Sequence, residues 1–280
     1  MAVEVGEVML DRNQLVGVDC YEDILEEMGR EEVEKIGTIV EESVHELFPR
    51  ADVTVMGSYR RGKLKCGDVD IHITCKDFDK QVPEKALGEI VDLLWKRGHI
   101  AFHLTFISGM RTGSDNADYA KSARYIPENA WKSCKDAPKY KEMRNEEHSS
   151  LSYMGVFRSP SDARKRRRVD IKFYPYRERV FAELYFTGNG HFNRSMRLWA
   201  ARKFDFTLND HGLFRRGTQD RVIEASKEKD IFDKLGLLYL EPPERTSFHA
   251  VIAKDNSESA ADLEMTQSDF QEDSKHSWID

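Results

Sequence analysis

A chain of 280 residues, 40% hydrophobic and 33% charged, is long enough for one substantial core, or one and a half. It has no apolar run near the roughly 20 residues that cross a bilayer and no basic, apolar, small-residue order of a secretion signal at its start, so we expect no membrane partner. The net charge of −7 is that of residues 255–280 alone, which hold eight acids and one base; the preceding residues are neutral in sum and can still present a basic face to a polyanion. Cys20, Cys66, Cys75 and Cys134 form no CxxC pair and no metal-ligand spacing, and read as reduced thiols of an intracellular protein.

Residues 1–18 are weakly patterned. Tyr21 to Met28 reads as one or two helical turns closed by Gly29. Val33, Ile36, Val40, Val44 and Leu47 then recur at helical spacing, with glutamates on the other faces, until Pro49. The stretch VTVMGSYRRGKLKCGDVDIHIT (53–74) follows: an apolar strand, Gly57-Ser58, paired arginines, and a second strand opened by Gly67-Asp68. Pro83 to Gly98 predicts an amphipathic helix, with proline in its first turn and glycine at its end, and Ile100 to Ile107 a loosely alternating strand. Residues 108–150 are rich in Ser, Asn, Asp and Lys and read as a long mobile surface insertion. Ser152 to Arg158 predicts a strand, Ser159 to Asp162 a turn, and Val169 to Tyr174 a further strand. Helices are predicted over Val180–Phe186, about His191–Lys203 and Glu228–Leu235. Pro242-Pro243 closes the ordered part, and 249–280 reads as disordered.

Alternation on the second strand puts Asp68, Asp70, His72 and Thr74 on one face and Val69, Ile71, Ile73 and Cys75 on the other, toward the core. The strand from Val169 repeats this, with Val169, Ile171 and Phe173 inward and Asp170 and Lys172 outward. If the two strands are neighbours, Asp68, Asp70 and Asp170 converge. Carboxylates so placed suit hard divalent cations, and three of them suit a pair. Gly-Ser at a strand end followed by arginines suits a polyphosphate. The competing reading is three solvent-facing aspartates on half-exposed strands, which leaves the Gly-Ser, the paired arginines and the matched third acid unexplained. Tyr185 and Phe186, beside a glycine turn, make either a flat wall for a sugar or ordinary core. His72 either supports the carboxylates or is merely exposed. The run Arg164–Arg168 reads as a nuclear-localisation or phosphate patch or as a solvated hairpin end, with phosphate contact favoured for Arg168. His99 and His103 have metal-like spacing but no further ligand near them, and read as structural.

GSYRRGK with CGDVDIHIT, then RRVDIKFYP, then LYFTGNGHFNRSMR, together resemble the family X DNA polymerases. YEDILEEMGREE and DIFDKLGLLYLEPPER fit the same family in the same order, so the resemblance covers roughly residues 18–246 apart from the insertion. It implies an α+β fold: a nucleotidyltransferase-type palm with a mixed β-sheet and flanking helices, followed by a small α/β thumb. It implies Asp68, Asp70 and Asp170 as catalytic metal ligands for two Mg²⁺ ions, with Mn²⁺ as a substitute. Gly57, Ser58, Arg61 and Gly67 would bind the triphosphate of a dNTP. Tyr185, Phe186 and Gly188 would line the sugar pocket and discriminate against ribose. Asn193 would touch the minor-groove edge of the base. Arg194 and Arg197 would face the template, and Arg168 and Lys172 the primer terminus.

The expected organisation is a remnant of the fingers over 1–29, a catalytic palm over 30–175 carrying the insertion, a thumb over 176–248 and an acidic tail over 249–280. Relative to the family we expect no lyase domain and few of the fingers. Glu27 stands where the family places an arginine that reaches the triphosphate. The implied activity is template-directed addition of dNTPs to a primer 3′-hydroxyl in gap-filling repair (base excision repair, end joining), by a nuclear monomer acting on gapped or primer-template DNA with repair proteins as partners. The alternatives are a template-independent nucleotidyltransferase and a catalytically weak fragment that only binds DNA or a partner.

Overall fold

The computed structural model describes residues 12–105, 107, 108, 110 and 151–263. In chain order the elements are α1 (Arg12–Asp19), α2 (Tyr21–Leu25), β1 (Met28–Gly29), α3 (Arg30–Leu47), β2 (Ala51–Val55), α4 (Gly57–Arg60), β3 (Lys65–Cys66), β4 (Val69–Cys75), α5 (Ala86–Lys96), β5 (Ile100–His103), β6 (Ser152–Arg158), β7 (Arg166–Pro175), α6 (Arg179–Thr187), α7 (Gly190–Phe204), β8 (Phe206–Leu208), β9 (Leu213–Arg215) and α8 (Glu228–Lys234). The fold is α+β, with a five-stranded mixed sheet of order β2-β4-β7-β6-β5. The predicted insertion lies outside the described residues from 111 onward, as does Cys134. Among the described residues no helix is long and apolar enough to cross a membrane.

The chain divides into two compact units, one from Met1–Pro49, Gly67–Val69 and Val82–Phe173, the other from Arg50–Cys66, Asp70–Gln81 and Tyr174–Asp280. In the first, α3 buries Val33, Ile36, Val40 and Val44 and packs against α5, which buries Leu87, Ile90, Val91 and Leu94. Glu31 and Glu32 in the first turn of α3 suit the positive end of its dipole. β5, β6 and β7 pair antiparallel, with Met154 opposite Asp170 and Tyr153 opposite Ile171. α1 escaped the sequence reading, yet it buries Val16 with Ala101, Phe102 and Val156. Gly29 stands at the start of α3 rather than closing α2.

Within the basic run, Lys165 and Arg167 depart from the reading as a phosphate patch or a solvated end, while the Arg164 side chain is 91% exposed. Arg167 is only 3% exposed and pairs with Glu32 at 2.8 Å, while also donating to the Asp23 carbonyl. Lys165 pairs with Glu26 at 2.6 Å. These cations fasten the β6–β7 connection to α2 and to the N-terminal end of α3. His99 stacks on Phe157 and His103 hydrogen-bonds the Tyr153 hydroxyl, both in structural roles.

In the second unit, β2 runs antiparallel to β4 with Thr54 opposite His72. All seven residues of β4 are buried, so His72 and Thr74 do not sit on an exposed face. α6, α7, the β8–β9 hairpin and α8 close around Phe192, Met196, Trp199, Leu213 and Phe232. Asn189 caps α7 by accepting from the Phe192 N–H at 2.9 Å, satisfying one of the free donors of a helix start. The expectation of an unstructured chain from 249 fails through 263. Val251, Ala253 and Ala260 join the same core, and the bridges Leu237↔Ala253 and Ile252↔Ser259 hold them there. Their apolar side chains are too few and too unevenly spaced to read as an element.

Candidate active site

The first unit holds Asp68, Arg168, Asp170 and Lys172. Asp68 lies in the turn before β4, with its side chain 20% exposed, and Arg168 on β7 donates to its Oδ2. Gly67 before it is exposed. Asp170 is 9% exposed, and its Oδ1 is buried with no hydrogen-bond partner. Burial pushes its carboxyl up to about 6; the Asp68 charge adds to the rise, and Arg168 and Lys172 oppose it. Val169, Ile171 and Phe173 are core, as alternation predicted, but Asp170 is itself buried. A carboxylate oxygen removed from water and left unbonded is costly, and a cation satisfies it directly.

The second unit holds Asp70 and the Gly-Ser turn. Asp70 is 9% exposed, and its carbonyl accepts from the Met56 N–H at 2.8 Å. Gly57 has φ +56, and a Cβ on it would stand 2.0 Å from Asp70 Oδ2. Only glycine permits that backbone conformation together with that approach. Ser58 follows in α4, half-buried. His72 is buried with its Nε2 unbonded, and burial, then the Arg60 charge, lowers it to about 3, so it is neutral at physiological pH.

Arg60 and Arg61 both turn toward the end of α6. Arg61 donates to the Thr187 carbonyl, and Arg60 to the Thr187 hydroxyl and, bidentately at 2.9 Å, to Glu228. Arg245, fully buried among the rings of Phe192, Phe232 and Tyr239, reaches Glu228 at 2.8 Å. Thr187, Glu228 and Arg245 escaped the sequence reading; the acid at the start of α8 beside the DIFDK segment was the available signal for Glu228.

Phe186 is 4% exposed and Tyr185 half-buried. Gly188 has φ +60, and its peptide bond to Asn189 is cis. Asn193 donates its side-chain amide to the Tyr185 carbonyl at 2.6 Å, which ties the aromatic pair to the first turn of α7. Arg197 lies 5.9 Å from the Tyr185 ring centroid; Arg194 and Arg197 are both half-buried on α7. The second unit thus gathers Gly57, Ser58, Arg61, Tyr185, Phe186, Gly188 and Asn193, and the first gathers Asp68, Asp170, Arg168 and Lys172. Among the described residues no three His, Cys, Asp or Glu side chains form a ready cluster for a metal ion.

Two family models match this chain: the DNA polymerase beta palm over residues 27–125 and the DNA polymerase beta thumb over residues 182–246. Among characterised proteins it is similar to DNA polymerase lambda of Rattus norvegicus, at 32% identity over 86% of this chain and 36% of that protein. It is also similar to the DNA nucleotidylexotransferases of Xenopus laevis and Homo sapiens, each at 30% identity, over 86% and 84% of this chain and 45% and 44% of those proteins. The chain therefore spans less than half the length of each of these relatives.

Proposed function

The chain belongs to the family X DNA polymerases, whose palm and thumb it carries, and on that premise we propose that it adds dNTPs to a primer 3′-hydroxyl opposite a DNA template. The observation that carries this reading is the buried, unbonded Asp170 Oδ1 with Asp68 as its like-charged neighbour. One carboxylate oxygen, on Asp170, is held out of water and unbonded beside a second, partly exposed carboxylate that Arg168 pairs, an arrangement that suits a cation.

The donor set fits the metals that the family implies. Asp68, Asp70 and Asp170 offer only hard oxygen ligands, which suit Mg²⁺ and accept Mn²⁺. Bound there, a pair of such ions would lower the pKa of the primer hydroxyl and neutralise the departing pyrophosphate.

The chain's own groups do the rest. Gly57, with no side chain, lets the backbone before Ser58 pass directly against the Asp70 carboxylate. Ser58, Arg61 and Gly67 bind the triphosphate, where the Arg61 guanidinium, already oriented by the Thr187 carbonyl, supplies fixed positive charge. Tyr185 and Phe186 wall the sugar, and Gly188 lets the backbone approach its 2′ and 3′ carbons. Asn193 reads the minor-groove edge of the base, where its polar pattern is degenerate. Arg194 and Arg197 face the template strand. Arg168 and Lys172 serve the primer terminus, so that Arg168 exchanges Asp68 for a backbone phosphate. Gapped or primer-template DNA, gap-filling repair with repair proteins, a monomer and a nuclear location complete the proposal, on the strength of the polymerase lambda likeness.

The nucleotidylexotransferase relatives favour a second reading, template-independent addition. Extension of a gapped primer in Mg²⁺, then in Mn²⁺, with each dNTP alone against each template base, separates the two. We expect incorporation to follow the template base and Asp170→Ala to abolish it with an unchanged circular dichroism spectrum. Undiminished extension by Asp170→Ala overturns the assignment. Incorporation indifferent to the template selects the second reading.

A further inference from the structure

We propose that Tyr174 is a positioning residue for nucleotide selection, acting through a clamp between its hydroxyl and Asp210. The inference deepens the functional reading above and rests on it. Tyr174 is 3% exposed and donates to Asp210 Oδ2 at 2.5 Å. Its ring meets the Phe186 ring edge-on, with centroids 6.0 Å apart, in a small cluster with Met56 and Ala182. Phe186 is the inner wall of the proposed sugar pocket, and Met56 directly precedes the Gly-Ser turn. One phenol therefore backs two parts of the nucleotide site.

The far end of the clamp is rigid as well. Asp210 sits in the β8–β9 turn, where Asn209 Oδ1 accepts from the N–H groups of His211 and Gly212 at 2.9 and 3.0 Å. His211 Nδ1 lies 2.7 Å from Glu178 Oε2, so the turn is held from two sides. Burial, then the Asp210 charge, pushes the Tyr174 phenol far above its usual value, so it stays a donor throughout the working pH range. A charge-assisted bond of this kind is among the stronger ones. With it, Tyr174 cannot slide along Phe186. Without it, the phenyl edge has freedom that the sugar wall inherits.

A merely structural tyrosine and a positioning one differ in what they do to two substrates. Loss of general stability lowers kcat/KM for dNTP and rNTP alike, whereas a loosened sugar wall narrows the ratio between them. We expect Tyr174→Phe to reduce the dNTP-over-rNTP ratio of kcat/KM roughly tenfold, the scale of one lost bond to a charged group. Asp210→Leu should match it, the double variant should be no worse than either single one, and Asp210→Asn, which keeps an acceptor, should stay near wild type. An unchanged ratio in Tyr174→Phe overturns the proposal, and so do additive effects in the double variant. A wild-type chain that adds neither nucleotide refutes the functional reading instead. The clamp is then judged by a double-mutant cycle on urea unfolding, where coupling between positions 174 and 210 supports it and additivity rejects it.

Discussion

Gly57 and Asp70 lie so close that a methyl group on Gly57 would fall 2.0 Å from Asp70 Oδ2. The Gly-Ser turn therefore serves more than the approach of a phosphate. Its glycine is also the surface against which the Asp70 carboxylate, proposed above as a metal ligand, rests, and the Met56 N–H bond to the Asp70 carbonyl fixes the same junction from the backbone side.

Gly57→Ala should cost on both counts. The φ of +56 is unfavourable for alanine by roughly 1–2 kcal/mol, and the collision adds overpacking of roughly 1–3 kcal/mol. We expect urea unfolding to report a loss of roughly 2–5 kcal/mol. Primer extension should be lost even at temperatures where the variant is fully folded, because the only way to relieve the clash is to move Asp70. A folded Gly57→Ala with wild-type extension would contradict this geometry.

Asp170 makes a pH-dependent prediction. Its folded pKa of about 6 lies above the ordinary 3.8. Between about pH 4 and 6 the unfolded chain has released this proton while the folded chain keeps it. The native state then binds more protons, so the contribution of Asp170 to stability falls as pH rises through that window and is level on either side. A shift of this size corresponds to roughly 3 kcal/mol. Without divalent metal, Asp170→Asn should gain stability relative to wild type progressively from pH 4 to 6 and hold that gain above pH 6. Adding Mg²⁺ should shrink the gain. Parallel pH–stability curves for the two proteins would show that Asp170 is not strained.

What was legible in the chain follows the range of the interaction that sets it. β7 was readable because Val169, Ile171 and Phe173 keep a period of two into the core. The same rule misjudged His72 and Thr74, because β4 is covered on both faces and alternation reports side-chain direction, not what lies over it. Asp68, Asp70 and Asp170 were visible as residue types at a matched spacing, which is what the proposal of a shared site rests on. The electrostatic setting of Asp170 was not, since its unbonded oxygen depends on packing. Arg167 looked like part of a solvated charge run because its acid, Glu32, is distant in sequence and adjacent only in space. The β8 and β9 strands, three residues each, are too short for any periodicity, so Asp210 could not be seen as the partner of Tyr174.

Glu228 stands between two arginines, with side-chain exposures of 5% for the acid, 0% for Arg245 and 25% for Arg60. Removing it strands Arg245, which cannot reach water, so Glu228→Ala should destabilise the chain by roughly 3–5 kcal/mol. Arg60, at the rim, can turn to solvent and adds less. The remedy follows from the same reasoning. Arg245→Met combined with Glu228→Leu places matched apolar side chains among Phe192, Phe232 and Tyr239, and should recover most of the loss in thermal or urea unfolding. If Glu228→Ala alone unfolds like wild type, the triad is not the tie that its burial indicates.

Glu27 is exposed, at the position where the family resemblance puts an arginine directed at the triphosphate. An acid there repels the substrate, and its replacement by a base converts repulsion into attraction at one site. Because the residue is exposed, the change should alter little in the fold and act mainly on nucleotide affinity. We expect Glu27→Arg to lower KM for dNTP roughly three- to tenfold with kcat nearly unchanged, and the gain to fade as salt is raised, as solvent-screened charges do. Glu27→Gln should give an intermediate value, since it removes the repulsion without adding the attraction. Single-nucleotide insertion kinetics at low and high salt measure all three proteins. Equal KM values across them would mean that position 27 faces away from the triphosphate in this chain, and that nucleotide affinity rests on Ser58, Arg61 and Gly67 without help from the segment preceding α3.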